Sequence, residues 1–134
     1  MRLLFHHRMG DASHREALSK TLLSQQKTDG GWSWKISNEG SDPMATGEAI
    51  YALTVGGSPA WDAASRQRAA DHLIKTQLPD GSWHQDHKRI SAKIRKEPEK
   101  IATIDGIYSY YATGWATMGL LQLLPEMAVA DAGK

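Results

Sequence analysis

The chain has 134 residues, no cysteine, and 16 basic against 15 acidic side chains, for a formal charge of +1. One domain with a modest core is expected, since 40% of the residues are hydrophobic. The charge balance gives no electrostatic ground for binding nucleic acid, the missing cysteines exclude disulfides, thiolate zinc sites and a cysteine nucleophile, and no apolar run approaches the ~20 residues that span a bilayer.

In chain order, residues 1–10 carry Arg2 and then Leu3-Leu4-Phe5, too short an apolar stretch for a signal peptide; they read as the tail of a preceding helix or an N-terminal extension. Ser13-His14-Arg15-Glu16 is a capping-box pattern, and Leu18, Leu22 and Leu23 fall on one face of a first helix running to about Gln26. Asp42 as N-cap and Pro43 at the first helical position open a second helix, ended by Gly56-Gly57, with Ala45, Ala49, Ile50 and Leu53 inward. Ser58-Pro59 is expected to open a third, with Ala63, Ala70, Leu73, Ile74 and Gln77 at helical spacing. A fourth starts near Tyr111, carries Ala116, Leu120 and Leu123, and stops before Pro125, leaving 126–134 as a flexible tail. Small residues at Gly47, Ala49, Ala52, Gly114, Ala116 and Gly119 allow close helix approach.

Two stretches repeat. Gln26-Lys-Thr-Asp-Gly30-Gly-Trp32 returns 51 residues later as Gln77-Leu-Pro-Asp-Gly81-Ser-Trp83, and Ala45-Thr46-Gly47 returns as Ala112-Thr113-Gly114. This divides residues 11–125 into a first unit of about 11–57 and a second of about 58–125. Repeated helix-loop-helix units bury their apolar faces against neighbours, so a structural role at helix junctions is expected for Gln26, Gly30, Trp32, Gln77, Gly81 and Trp83. The glutamine can bond free helix-end groups, Asp-Gly makes the turn and the tryptophan covers the junction.

The pattern resembles the QW repeat of squalene-hopene cyclases and related triterpene cyclases, whose α/α toroid is shared with protein prenyltransferase β-subunits. The resemblance implies an all-α fold: a partial α/α toroid, or α/α-barrel segment, of about two antiparallel helix pairs with QW-type repeats and one long basic loop. In that arrangement the second and fourth helices are inner and the first and third outer. A closed toroid in those families needs roughly five to seven helix pairs, so the expectation is a fragment of a longer protein, or a chain that pairs with another.

The family chemistry implied by the resemblance meets an obstacle. Squalene-hopene cyclases protonate a double bond from the middle acid of a D-x-D-D-T-A motif. With its threonine placed on Thr46, the acids fall on Asp42, Met44 and Ala45, and only Asp42 survives. The second copy offers Ser109, Tyr111 and Ala112. Asp42 is therefore the weak catalytic candidate and the better helix cap. The prenyltransferase zinc site needs a cysteine that this chain lacks. No cofactor and no metal site is expected; His84-Gln85-Asp86-His87 and a cluster of His6, His7 and His14 have the ligand types only. The paired carboxylates of carbohydrate chemistry have candidates in Glu39, Asp42 and Glu48.

The second unit also carries a 16-residue insertion within about 86–108, where Lys88, Arg89, Lys93, Arg95, Lys96 and Lys100 stand against Glu97 and Glu99. It reads as a solvated basic loop, with anion binding as the functional reading. Tyr108, Tyr110, Tyr111, Trp115 and Tyr51 are candidates for a ligand-pocket mouth, although Tyr111 and Trp115 at helical spacing equally suit a core. The expected function is a terpene-cyclase-like helical repeat domain, noncatalytic alone and acting as a binding or scaffold module or as part of a larger toroid. The alternative is part of a triterpene cyclase or isomerase acting on a polyisoprenoid, its acid outside this chain. Expected partners are an apolar isoprenoid-like ligand or a protein at an open helix edge. A homo-oligomer and peripheral membrane contact are also compatible, and the compartment stays open.

Overall fold

The structure, a computed structural model, describes residues 2–37, 39–86 and 96–131, the last helix with its side chains to residue 124. The described residues are all-helical: α1 (Arg2–Arg8), α2 (Ala12–Ser24), α3 (Pro43–Val55), α4 (Ala63–Thr76) and α5 (Pro98–Asp131). No described helix is long and apolar enough to cross a membrane. The most extensive packing joins α3 to α5; α2 rests on α1, and α4 bridges α3 and α5.

The core is built from three tryptophans and small or branched side chains. Trp32, Trp61, Trp83, Ile50, Leu53 and Leu73 are buried together with Ala49, Ala69, Ala70, Ala112 and Ala116. Leu3 joins them from α1, so the N-terminal helix belongs to the packed body. Leu18, Leu22, Leu23 and Leu120 pack against this cluster with partial exposure, in keeping with their expected faces. On α3 the buried set is wider than expected, adding Thr46, Gly47 and Ala52. On α4, Ala70 and Leu73 are inward as expected, but Ala63 and Gln77 are exposed and Ile74 is half exposed; Ala69 and His72 take their place.

Helix punctuation corrects four sequence expectations. The cap of α2 is Asp11, whose Oδ1 accepts from the His14 amide at 3.2 Å, while Ser13 donates to the same oxygen at 3.1 Å. The third expected helix opens at Ala63 behind Asp62, which accepts from the Ser65 amide at 2.7 Å, and not at Ser58-Pro59. Trp61 explains the delay: it is buried in the core with the Arg66 guanidinium 5.3 Å from its ring centroid, so the chain must reach that anchor before it can coil. The last helix begins at Pro98, not near Tyr111, so much of the expected insertion is α5 itself. Pro98 carries the same signal that marks Pro43: a proline at a helix start gives up an amide that has no intrahelical partner. That helix also passes Pro125 and reaches Asp131, replacing most of the expected flexible tail. Of the basic residues in the insertion, Lys96 is exposed and Lys100 pairs with Glu97, whereas Lys88, Arg89, Lys93 and Arg95 lie outside the described residues.

The caps have a pH signature. The His14 amide, followed by the His14 side chain, holds the Asp11 carboxyl down at about 2, and the Ser65 amide holds Asp62 below its ordinary value. A carboxylate depressed in the folded state contributes stability above its unfolded pKa and loses it as pH falls through the folded one. Helical content should therefore hold above pH ~4 and decline as pH approaches ~2, which circular dichroism can follow.

Candidate functional site

The two motif copies fold into the same hydrogen-bonded junction. Gln26 Nε2 donates to the Gly30 carbonyl at 2.8 Å, and Gln77 Nε2 donates to that of Gly81 at 2.9 Å. Asp29 and Asp80 each accept the amide two residues on, an Asx-turn that carries the chain through Gly30 and Gly81 at φ +92° and +85°. Trp32 Nε1 then donates back to Leu22 O at 2.7 Å, and Trp83 Nε1 to Leu73 O at 2.8 Å, satisfying a carbonyl at the end of the preceding helix. Forward, the Trp32 amide donates to Thr46 Oγ1 and the Trp83 amide to Thr113 Oγ1, each at 3.0 Å. One tryptophan thus ties the helix before the turn to the helix after it, in both copies.

Two differences separate the copies. In the first, Asp42 Oδ2 accepts the Trp34 amide at 3.1 Å; in the second, Ser109 Oγ accepts the corresponding Gln85 amide at 3.0 Å. The residue at this position therefore serves the backbone in both copies, as acid or as hydroxyl. Gln26 also reaches the next helix: it donates to Ser65 O at 2.9 Å and accepts from Arg68 at 2.9 Å. Gln77 has only its Gly81 bond among the described residues, and a Cβ placed on Gly81 meets nothing but the Gln77 amide at 3.9 Å. At Gly30 the same Cβ would collide with the Arg68 carbonyl, its carbon at 2.7 Å.

A cleft of about 400 Å³ opens where the first junction meets α3 and α5. Its walls are Leu22, Trp32, Trp34, Met44, Ala45, Ala49, Ala52 and Tyr108, with Gln25, Ser33, Asp42 and Glu48 as the polar members. Met44, Ala45, Glu48, Ala49 and Ala52 recur at helical spacing, one stripe of α3. Asp42 is 5% exposed, its Oδ1 accepting the Ala45 amide at 2.8 Å and its Oδ2 accepting from Trp34 and Ser33. A carboxylate with those donors serves the backbone as a helix cap and acceptor. Asp42→Ala should cost about 2 kcal/mol in a urea titration and Asp42→Asn about 1–2, since asparagine keeps the capping oxygen but turns its NH2 toward the Trp34 amide. Burial pushes the Glu48 carboxyl above its ordinary value, and the negative charge of Asp42 adds to that. Glu39 is exposed and does not line the cleft, so the three expected carboxylates do not form one set.

The expected aromatic mouth divides. Tyr108 lines the cleft, whereas Tyr111 and Trp115 line a second hollow of about 340 Å³ with Tyr110 and Met118. Trp115 is two helical turns beyond Tyr108, about 10 Å along the axis, which carries it past the cleft. Tyr51 lines neither; its ring meets Trp115 edge-on at 6.0 Å. Nor is Tyr111 core, being 55% exposed. Trp34, Leu22 and Glu48 complete the cleft, and the stripe from Met44 to Ala52 was the available signal for its α3 wall. His84 bonds Asp86 at 2.9 Å on the surface, and His87 lies outside the described residues.

Part of this chain is similar to drimenyl diphosphate synthase of Streptantibioticus cattleyicolor, a terpene cyclase, with 38% identity over 77 residues. Over that stretch the chain is terpene-cyclase-like. The match takes in 57% of the chain but 13% of the enzyme's length, so the chain spans a small part of that relative. No protein-family model matches the chain, and no solved structure matches it.

Proposed function

We propose that the chain is a QW-repeat segment of a longer α/α toroid of the squalene-hopene cyclase type, holding an apolar isoprenoid-like ligand and not catalysing alone. The observation that carries this reading is the contrast between Gln26, which bonds both its own turn and the start of α4, and Gln77, whose side chain bonds its own turn and, among the described residues, no following helix. An array of such units continues through that face. The apolar cleft suits an isoprenoid chain, and the terpene-cyclase-like match supports the ligand class. Met44 and Ala45, at the positions where the resembled motif has acids, argue against proton donation from this segment. The exposed α5 residues Ile107, Tyr110, Leu121 and Leu124 are assigned to a neighbouring helix pair of the same array.

Size-exclusion chromatography with light scattering on the 134-residue chain tests the assignment, followed by titration of a squalene analogue against tryptophan fluorescence. Self-association relieved by flanking sequence, with ligand quenching reduced in Trp34→Ala, is the expected result. A stable monomer that ignores the analogue would overturn the reading and leave a small scaffold module. A second copy or a lipid surface covering α5 would appear as a defined oligomer or as vesicle binding. The alternative, a polyisoprenoid cyclase or isomerase with its proton donor elsewhere, is favoured by the match to drimenyl diphosphate synthase and requires turnover in the extended protein.

A further inference from the structure

The corner between α1 and α2 gathers three ligand-type side chains that the cleft does not use. His6 comes from the last turn of α1, Asp11 from the linker, and His14 from the first turn of α2. Asp11 divides its two oxygens between two tasks. Oδ1 accepts the His14 amide and the Ser13 hydroxyl, whereas Oδ2 faces His14 Nδ1 at 2.8 Å and His6 Nδ1 at 3.2 Å. The two imidazole rings lie nearly parallel, 11° apart with centroids at 4.9 Å, so both present the same edge to that oxygen. One ligand atom from each residue falls within a sphere where all are no more than 4.8 Å apart. His7 is turned away, its Nδ1 3.5 Å from the Arg15 guanidinium, which separates it from the cluster its sequence position suggests.

We propose that His6, Asp11 and His14 bind one divalent first-row transition metal, zinc by preference, which clamps α1 to α2. Two imidazole nitrogens and one carboxylate oxygen are the donor types that borderline cations select, and three protein ligands leave a fourth tetrahedral position to water. With zinc about 2.0–2.2 Å from each ligand, neighbouring ligand atoms stand about 3.3–3.5 Å apart, so the two contacts of Asp11 Oδ2, at 2.8 and 3.2 Å, open slightly and the stacked rings swing until both nitrogen lone pairs converge on the ion. The amides at the start of α2 carry positive partial charge, and Asp11 is the group that makes a cation acceptable there. His6 is the most covered of the three, with 19% of its side chain exposed, and His14 the most open at 66%. The covered ligand fixes the site to the fold while the open one lets the ion enter. Linking α1 to α2 adds to a junction that already has the contact between His7 and Arg15.

The test uses the whole chain, stripped with a chelator and titrated with zinc against a chromophoric competitor, with cobalt as the spectroscopic probe. Expected are one zinc per chain, a tetrahedral cobalt absorption band, and a melting temperature that rises with zinc. His14→Ala, His6→Ala and Asp11→Asn should each weaken binding about 10-fold or more, since even partners one step removed from a metal are worth that much. Asp11→Asn retains a good helix cap and His14 is largely exposed, so both variants should stay folded, as circular dichroism would verify. His84→Ala should leave binding unchanged. Wild-type zinc affinity in both Asp11→Asn and His14→Ala, or an equal loss in His84→Ala, overturns the proposal.

Discussion

Trp32→Ala and Trp83→Ala are each expected to destabilise the fold by about 3–5 kcal/mol, the range for truncating a buried aromatic side chain. Both side chains are almost fully enclosed, at 3% and 2% exposure, and each loses its indole bond to a helix-end carbonyl as well as its packing. Phenylalanine separates the two contributions: it keeps most of the volume and removes the indole donor, while the Gln25 amide and the Thr76 hydroxyl still serve the two carbonyls, for an expected cost of about 1–2 kcal/mol. The two positions should differ in one respect. Trp32 forms a wall of the cleft and Trp83 does not, so Trp32→Phe should alter binding of an apolar probe while Trp83→Phe leaves it unchanged. Urea midpoints for the four variants, with one fluorescence titration, check this. Near-wild-type midpoints in both alanine variants would remove the junction role of the motif.

Gly47→Ala carries the second large effect, and Gly114→Ala is its control. Both glycines close the repeated Ala-Thr-Gly triplet. At Gly47 a methyl group would run into the Trp115 carbonyl and stand 2.6 Å from the Ala116 amide nitrogen, so α3 and α5 must separate along their most extensive contact. A net loss of about 1–3 kcal/mol is expected, the usual cost of overpacking, even after the better helix propensity of alanine is included. At Gly114 nothing lies within 4 Å of the added carbon, and the same substitution should be neutral or stabilising by up to about 1 kcal/mol. Thermal melts of the two variants decide it, and equal shifts in the same direction would contradict the packing described.

How far the site can be read from residues follows from the range of the interactions involved. Asp42-Pro43 opens α3 as expected because capping uses groups within four residues of each other. The Asp-Gly turns and the glutamine bonds to Gly30 and Gly81 are similarly local. Each tryptophan bond to the preceding helix spans ten residues and follows once the turn is formed. Asp11 is passed over in favour of Ser13 because several side chains near a helix start can cap it, and only the backbone path selects one. Tyr108 and Trp115 look equivalent on a helical wheel and are separated by height along α5, which depends on where α3 crosses it.

By itself, then, the sequence determines an all-helical chain, two copies of one junction, and the apolar and capping residues of each, since these rest on local hydrogen bonds and on periodicity. Tertiary structure decides that the first copy meets a following helix and that the second, among the described residues, meets none. Gln26 and Gln77 open the same spaced motif of Asp, Gly and Trp, and the helix start at Ser65–Arg68 meets the first of them. It likewise decides which glycine is a contact, which tyrosine meets the cleft, and that His6 and His14 converge on one carboxylate oxygen. Those outcomes depend on helices meeting in space, and a helix pair's crossing is set by the summed packing of many side chains that no short stretch of sequence contains.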